Sequence, residues 1–335
     1  MSQPIVLTGI KPTGIPHLGN YVGAIKPAIA LSREGGRTFM FIADYHALNQ
    51  VHDAAQLTQF SRTIAATFLA LGLDPERTIF YRQSDIPEIP EFATILSAVT
   101  PKGLMNRSHA YKAELDRNSQ AGKEDLDIGI NMGLYTYPIL MSADILLFDT
   151  DLVPVGKDQV QHVEFARDIA GHFNRYYGEI LKLPAHVISA QAANIPGLDG
   201  RKMSKSYNNI IPLFEEPAAL KKLIMKIATD SKRPEEPKDP DNSTLFQLYT
   251  QFASEDRVVE LRNAFLKGGM GYGEAKNLLF EAIDSTLSEP RRIFGELMRD
   301  TARLNAILKA GAEKARAIAT PNLRKVREAI GVRPL

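Results

Sequence analysis

Residues 200–206, Gly-Arg-Lys-Met-Ser-Lys-Ser, set Lys202 and Lys205 three apart, interleaved with Ser204 and Ser206 and close behind Gly197 and Gly200. Two ammonium groups at that spacing on a glycine-flanked loop can close over a polyphosphate, while the hydroxyls donate to its oxygens. The string is not the Gly-x-x-x-x-Gly-Lys-Ser/Thr phosphate loop: its glycines are too few and no buried strand leads straight into it. Alone it would read as a solvated surface loop. A second group of residues near the N-terminus changes that reading. The apolar run Ile5-Val6-Leu7 predicts a buried strand, a Gly- and Pro-rich turn follows, and Tyr21, Val22, Ile25 and Ile29 then recur at helical spacing. His17-Leu18-Gly19-Asn20 falls where that helix starts. Free backbone N–H groups at Gly19 and Asn20, the helix dipole and a donor on His17 would make an anion site suited to ATP phosphates. Its place, at the C-terminal end of the first strand, is where open α/β sheets bind ligands.

The elements that must hold these residues alternate. Strands are expected at Ile5–Thr8, Thr38–Ala43, Thr78–Arg82, Leu152–Val155 and His186–Ser189, and helices at Asn20–Arg33, Ala54–Leu71 and Gln159–Asn174. Such alternation predicts an α/β fold, a Rossmann-like doubly wound parallel sheet covered by helices, over residues 1–211. Residues 101–131 are more polar and read as an insertion with a mobile tip, and residues 196–209 form the lysine loop. Beyond it, Glu216–Ala228 reads as helix and Ser231–Ser243 as a Pro- and charge-rich connection without core-forming residues. Helical patterns then continue to Ile330, so residues 212–335 are expected to be a helical domain whose last helix packs back on the first domain. Within Tyr137–Leu147, an apolar helix carries one carboxylate, Asp144. A buried carboxylate must have a partner, either a donor elsewhere in the protein or one on a ligand.

Composition bounds the chemistry. The chain of 335 residues is 44% hydrophobic and 24% charged with a formal net charge of +1, an ordinary globular balance that does not advertise nucleic-acid binding. It has no cysteine, which excludes disulfides, cysteine nucleophiles and thiolate zinc sites. No apolar run approaches membrane-spanning length and no secretory pattern opens the chain, so a cytoplasmic enzyme without membrane contact is expected. From Thr301 onward eight basic residues face only Glu313 and Glu328, either as a helix touching RNA backbone or as a solvated face.

His17-Leu18-Gly19-Asn20 and Lys202-Met203-Ser204-Lys205-Ser206 together resemble the HIGH and KMSKS signatures of class I aminoacyl-tRNA synthetases, with Asn20 in place of the final His. Asp44-Tyr45-His46-Ala47, the run Thr136–Leu147 and Val153-Pro154-Val155-Gly156-Lys157-Asp158-Gln159 look like the bacterial tryptophanyl-tRNA synthetase family, and the likeness covers essentially the whole chain. The chain departs from many bacterial members at Lys11, where they carry Gln, and at His17, where they carry Thr. The resemblance implies that His17, Asn20, Lys202 and Lys205 are catalytic. It implies ATP contacts at Lys11, Pro12, Thr13, Gly19, Asn20, Gly156, Lys157, Asp158, Lys202, Met203, Ser204, Lys205 and Ser206, with Lys112 as a further phosphate contact. Asp144 would receive the single N–H of an indole between Met141, Ile145, Val153, Val155, Leu7 and His46, and Tyr137 and Gln159 would meet the α-ammonium group. ATP with Mg2+, L-tryptophan and the tryptophan tRNA are the implied ligands and a homodimer the implied assembly; no protein-held metal is expected. Two other readings stay open: the tyrosine enzyme, which shares both signatures, and a non-catalytic RNA-binding relative.

Overall fold

The computed structural model describes residues 3–34, 36–156, 159–188 and 195–333. The chain begins with β1 (Ile5–Ile10), followed by a helical stretch in three parts: α1 (Leu18–Asn20), a π-helical turn (Tyr21–Ile25) and α2 (Lys26–Leu31). Next come β2 (Arg37–Ile42), α3 (Asp44–Ala47), α4 (Ala54–Ala70), β3 (Thr78–Arg82) and a 3-10 turn, Gln83–Asp85. Helices α5 (Glu88–Val99), α6 (Lys102–Met105), α7 (His109–Gln120) and α8 (Met132–Leu146) lead to β4 (Leu152–Val155), α9 (Val160–Tyr177) and β5 (Ala185–Ile188). The remainder is helical: α10 (Pro217–Met225), α11 (Thr244–Tyr249), α12 (Glu255–Lys267), α13 (Tyr272–Arg299) and α14 (Thr301–Ala329).

All five strands pair in parallel in the order β3-β2-β1-β4-β5, so the winding reverses between β1 and β4. The crevice at that reversal, outside the strands' C-terminal ends, is the ligand position of doubly wound sheets. Helices cover both faces, which is why β2 is apolar almost throughout instead of alternating. Its period of two still sorts the layers. Phe39 and Phe41 join the core beneath α5, α8 and α9, whereas Met40 and Ile42 join a second core with Ile64 and Phe68 of α4. Each expected strand is present, and each of the five expected helices overlaps an observed one.

The last helix belongs to both cores. Leu304 and Leu308 enter one, and Ala312, Ala315, Ala319 and Leu323 the other. Gly311 lets α14 lie directly on β3, because any Cβ there would collide with the Phe80 carbonyl. A third core, centred on Leu245, Phe246, Leu261, Phe265 and Leu279 of the helical region, also takes in Leu18, Val22 and Met203. The connection 231–243 lacks regular structure as expected, but it does contribute a buried residue. Lys238 is 2% exposed, its ammonium donating to the carbonyls of Arg233 (3.0 Å), Pro234 (3.2 Å) and Glu236 (3.0 Å). In the 101–131 segment, buried Asn118 donates to the carbonyls of Leu126 (2.8 Å) and Ile128 (2.9 Å), tying the turns after α7 to that helix. No helix among the described residues is long and apolar enough to cross a membrane.

Candidate active site

At the start of α1 a reciprocal cap sets the geometry. His17 Nδ1 accepts from the Asn20 N–H (3.3 Å) and Asn20 Oδ1 accepts from the His17 N–H (3.2 Å). With Nδ1 an acceptor, the ring's proton sits on Nε2, which is therefore a donor. Burial, reinforced by the Lys205 ammonium, lowers the His17 pKa to about 4, so the ring is neutral. The free N–H groups expected here are taken. The Leu18 N–H donates to the Ile211 carbonyl (3.0 Å), the Gly19 N–H to Met203 Sδ (3.3 Å) and the Asn20 N–H to His17. Asn20 accordingly keeps only its side-chain Nδ2 as a donor, because its backbone N–H is committed to the cap.

The lysine loop is a hairpin docked on that same helix start. Pro196 bridges Lys202, the Met203 N–H donates to the Ile195 carbonyl (2.8 Å), and Gly200 turns the chain at φ 83°. Met203 is buried in the helical core with its Cβ close over Gly19, so it anchors the loop. The segment just beyond pairs with the histidine: His17 bridges Pro212, and the Leu213 N–H donates to the Pro16 carbonyl (3.0 Å). Lys205 reaches over the turn after β1, its ammonium so close to Gly14 that a Cβ there would collide with it. In that turn the Thr13 N–H donates to the Lys11 carbonyl (3.0 Å), and Pro12 is buried. Partial desolvation lowers the ammonium pKa of both Lys11 and Lys205, although both residues are solvent-exposed. Two partly desolvated cations and a neutral imidazole donor thus meet at one turn, an arrangement that favours an arriving polyanion. Ser204 Oγ accepts from the Ser206 N–H (3.3 Å) and keeps its own proton to donate. Lys202 is exposed on the hairpin and Lys112 is exposed on α7.

Asp144 is completely buried on α8. Gln83 Nε2 donates to both carboxylate oxygens (2.9 Å each), and His46 Nε2 lies 2.9 Å from Oδ2. Protein donors therefore already partner the carboxylate. Oδ1, with one hydrogen bond against two on Oδ2, keeps acceptor capacity. Burial raises the Asp144 pKa, opposed by hydrogen bonding and charge from His46 and then by Gln83. Of the expected pocket walls, Leu7, Ile145 and Val153 are buried in one apolar cluster, with Met141 and Val155 packed against it. The Tyr137 hydroxyl accepts from Ser108 Oγ (3.3 Å) and meets His162 Nε2 at 2.9 Å. Gln159 stands at the N-cap of α9, its N–H donating to the Gly156 carbonyl (2.9 Å). Lys157 and Asp158 lie outside the described residues.

Sequence reading missed Gln83. Its Oε1 accepts from the Tyr45 N–H (3.1 Å), so its amide is held in one orientation, with Nε2 toward Asp144. The available signal was its position: a polar residue directly after a buried strand, at the sheet end that binds ligands. Ser108 and His162 carried no such signal, because only the folded chain brings them to Tyr137.

The family model for class I tRNA synthetases (W and Y) matches residues 1–288. The tryptophan–tRNA ligase of Neisseria meningitidis is 52% identical, with all of both chains covered. That of Pseudomonas aeruginosa is 55% identical over 98% of this chain and 74% of its own. Among solved structures, the tryptophanyl-tRNA synthetase of Campylobacter jejuni complexed with ADP and tryptophan is 45% identical, with a TM-score of 0.89 over 98% of this chain and 99% of that one. Likeness of this extent, spanning both signatures and the sheet that joins them, leaves one assignment: the chain belongs to the class I tRNA synthetases of the tryptophan and tyrosine group.

Proposed function

We propose that the chain is a tryptophan–tRNA ligase, activating L-tryptophan with ATP to tryptophanyl-adenylate and transferring it to the 3′ end of the tryptophan tRNA. The observation that carries this reading is Asp144: a fully buried carboxylate among apolar neighbours, held by His46 and Gln83 from beyond the C-terminal ends of β2 and β3, with an acceptor position to spare. An indole offers a single donor on an apolar body and matches that receptor. A phenol would bury a hydroxyl with fewer partners, which disfavours the tyrosine reading.

The tryptophan carboxylate is ionised and attacks the α-phosphorus directly, so no Ser, Cys or His nucleophile is needed. Catalysis is alignment plus stabilisation of charge on the departing pyrophosphate. Lys205, Lys202 and Lys11 supply positive charge, and His17 Nε2–H and Asn20 Nδ2 supply hydrogen bonds. Tyr137 and Gln159 address the α-ammonium group, and Gly156 lets backbone approach the nucleotide. The docked lysine loop also speaks against a non-catalytic RNA-binding relative, which has no use for a grip on pyrophosphate. Around the turn after β1 the donor set is lysine, imidazole, amide and hydroxyl, with no carboxylate, and no group of three His, Cys, Asp or Glu able to hold a metal occurs among the described residues. This does not fit a protein-held Mg2+; magnesium enters with ATP as substrate. Residues 212–335 would receive the anticodon, and the enzyme would act in the cytoplasm as a homodimer, whose mass in solution checks the assembly.

Amino-acid-dependent exchange of labelled pyrophosphate into ATP tests the proposal. Tryptophan should drive exchange and tyrosine and phenylalanine should not; equal exchange with tyrosine would overturn it.

A further inference from the structure

Asn209, three residues beyond the lysine loop's last serine, is 2% exposed although it sits on a surface hairpin. Every polar atom of its side chain is engaged. Oδ1 accepts from the Ser204 N–H (2.8 Å), and Nδ2 donates to Asp199 Oδ1 (2.7 Å) and to the carbonyl of Lys202 (3.1 Å). Its backbone carbonyl accepts from the Leu198 N–H (2.9 Å). Gly197 leaves room for it, since a Cβ there would lie 2.5 Å from Asn209 Cγ. Asn208, at φ 50°, turns the chain so that Asn209 points back into the hairpin. One side chain therefore fixes the carbonyl of Lys202 and the N–H of Ser204, the backbone on either side of Met203 and between the two lysines.

From this geometry we infer that Asn209 is a positioning residue for adenylate formation: it holds the loop in one shape, so that Lys202 and Lys205 present their charges to the leaving pyrophosphate as a fixed pair. The inference rests on the proposed role of the two lysines. It follows because the useful part of their interaction is the part made in the transition state, and a misplacement of about 1 Å costs on the order of a hundredfold in rate.

The test is tryptophan-dependent pyrophosphate exchange with Asn209→Ala and with Asn209→Asp, which keeps volume but cannot donate to Asp199 or Lys202. Both should lower kcat by about 10- to 100-fold while leaving tryptophan binding within about twofold of the parent. Tryptophan binding can be followed by ligand fluorescence, because the chain has no tryptophan of its own. In a Lys202→Ala, Lys205→Ala background, Asn209→Ala should cost less than about threefold more, as expected when residues act through one another. A role in stability alone would lower Tm and multiply its loss in full onto that background, and that result would overturn the inference; so would unchanged exchange. Should both Asn209 variants fail to fold, Asp199→Asn on the exposed turn removes the charged acceptor and should lower kcat in the same direction; exchange at the parental rate would then overturn it. If the lysine variants themselves exchange normally, the proposed role of the loop fails instead.

Discussion

His17 shows how one residue's surroundings choose its chemistry. Its pKa of about 4, lowered first by burial and then by Lys205, leaves a neutral donor with the proton on Nε2. The rate of adenylate formation should therefore show no His17 inflection between about pH 5.5 and 8, where a free histidine would titrate. Stability behaves differently. Because the folded value lies below the ordinary 6.5, the unfolded chain takes up its proton first as pH falls. The histidine's stabilising contribution is present above pH 6.5 and is lost as pH falls toward 4, which thermal melts across that window would record. Asp144→Asn is the sharper test of the indole receptor. The new amide places an NH2 against a donor from Gln83 or His46, so the variant should be less stable by about 1–3 kcal/mol whatever the ligand does. Loss of Tm alone decides nothing. Catalytic efficiency with tryptophan should fall about tenfold to a hundredfold, and that with tyrosine much less. If preference for tryptophan over tyrosine is kept at its original margin, Asp144 is not the receptor. Gln83→Met probes the same carboxylate from behind. It removes a donor that favours the ionised form, leaving His46 as a partner and Asp44 as a repelling neighbour. Asp144 then needs a higher pH to ionise, so kcat/KM for tryptophan should reach its plateau at a higher pH than in the parent.

At the scale of elements, the lysine hairpin and the start of α1 form one unit, joined through Met203, Pro212 and Leu213. Lys202→Ala and Lys205→Ala should each raise the barrier to adenylate formation by about 2–4 kcal/mol, as loss of other charge-stabilising groups does. Tryptophan affinity should barely change. Single-turnover rates equal to the parent's would reduce the loop to a lid. Met203→Leu separates packing from capping: it keeps the volume in the core but removes the sulfur that accepts from Gly19. Its cost should stay below about 1.5 kcal/mol in a melt, whereas Met203→Ala should cost about 2–5 kcal/mol because it opens a cavity.

At the scale of the whole molecule, α14 unites the two halves of the chain. It lies across β3, an edge strand whose backbone would otherwise be open to pairing, and completes two cores with Leu304, Leu308, Ala315 and Ala319. Truncation after Asp300 should therefore yield an aggregating catalytic layer, not a trimmed enzyme, as size-exclusion chromatography would show. Gly311→Ala drives a Cβ into the Phe80 carbonyl, a backbone atom that cannot swing aside. The penalty should be about 3 kcal/mol or more, the upper end of overpacking costs, and would appear as a fall of several degrees in Tm.

Local chemistry was enough to place the strands, to find His17 and the two lysines, and to single out Asp144, because apolar periodicity and glycine-flanked charge are properties of short stretches. The packing of α14 was foreseen only as an expectation of where the last helix goes; the small residue that permits it, Gly311, was not. Gln83 and Asn209 escaped for a related reason. Each is an ordinary amide in the chain, and its role exists only once the fold sets its partners around it: the Tyr45 N–H and the Asp144 carboxylate for Gln83, the Asp199 carboxylate and the Ser204 N–H for Asn209. The occupied N–H groups of α1 belong to the same class, since the sulfur and the carbonyl that fill them come from about two hundred residues away. Sequence determines which groups are available as donors, acceptors and charges. Which of them remain open to a ligand was decided by tertiary structure, because most buried donors and acceptors find a partner within the fold.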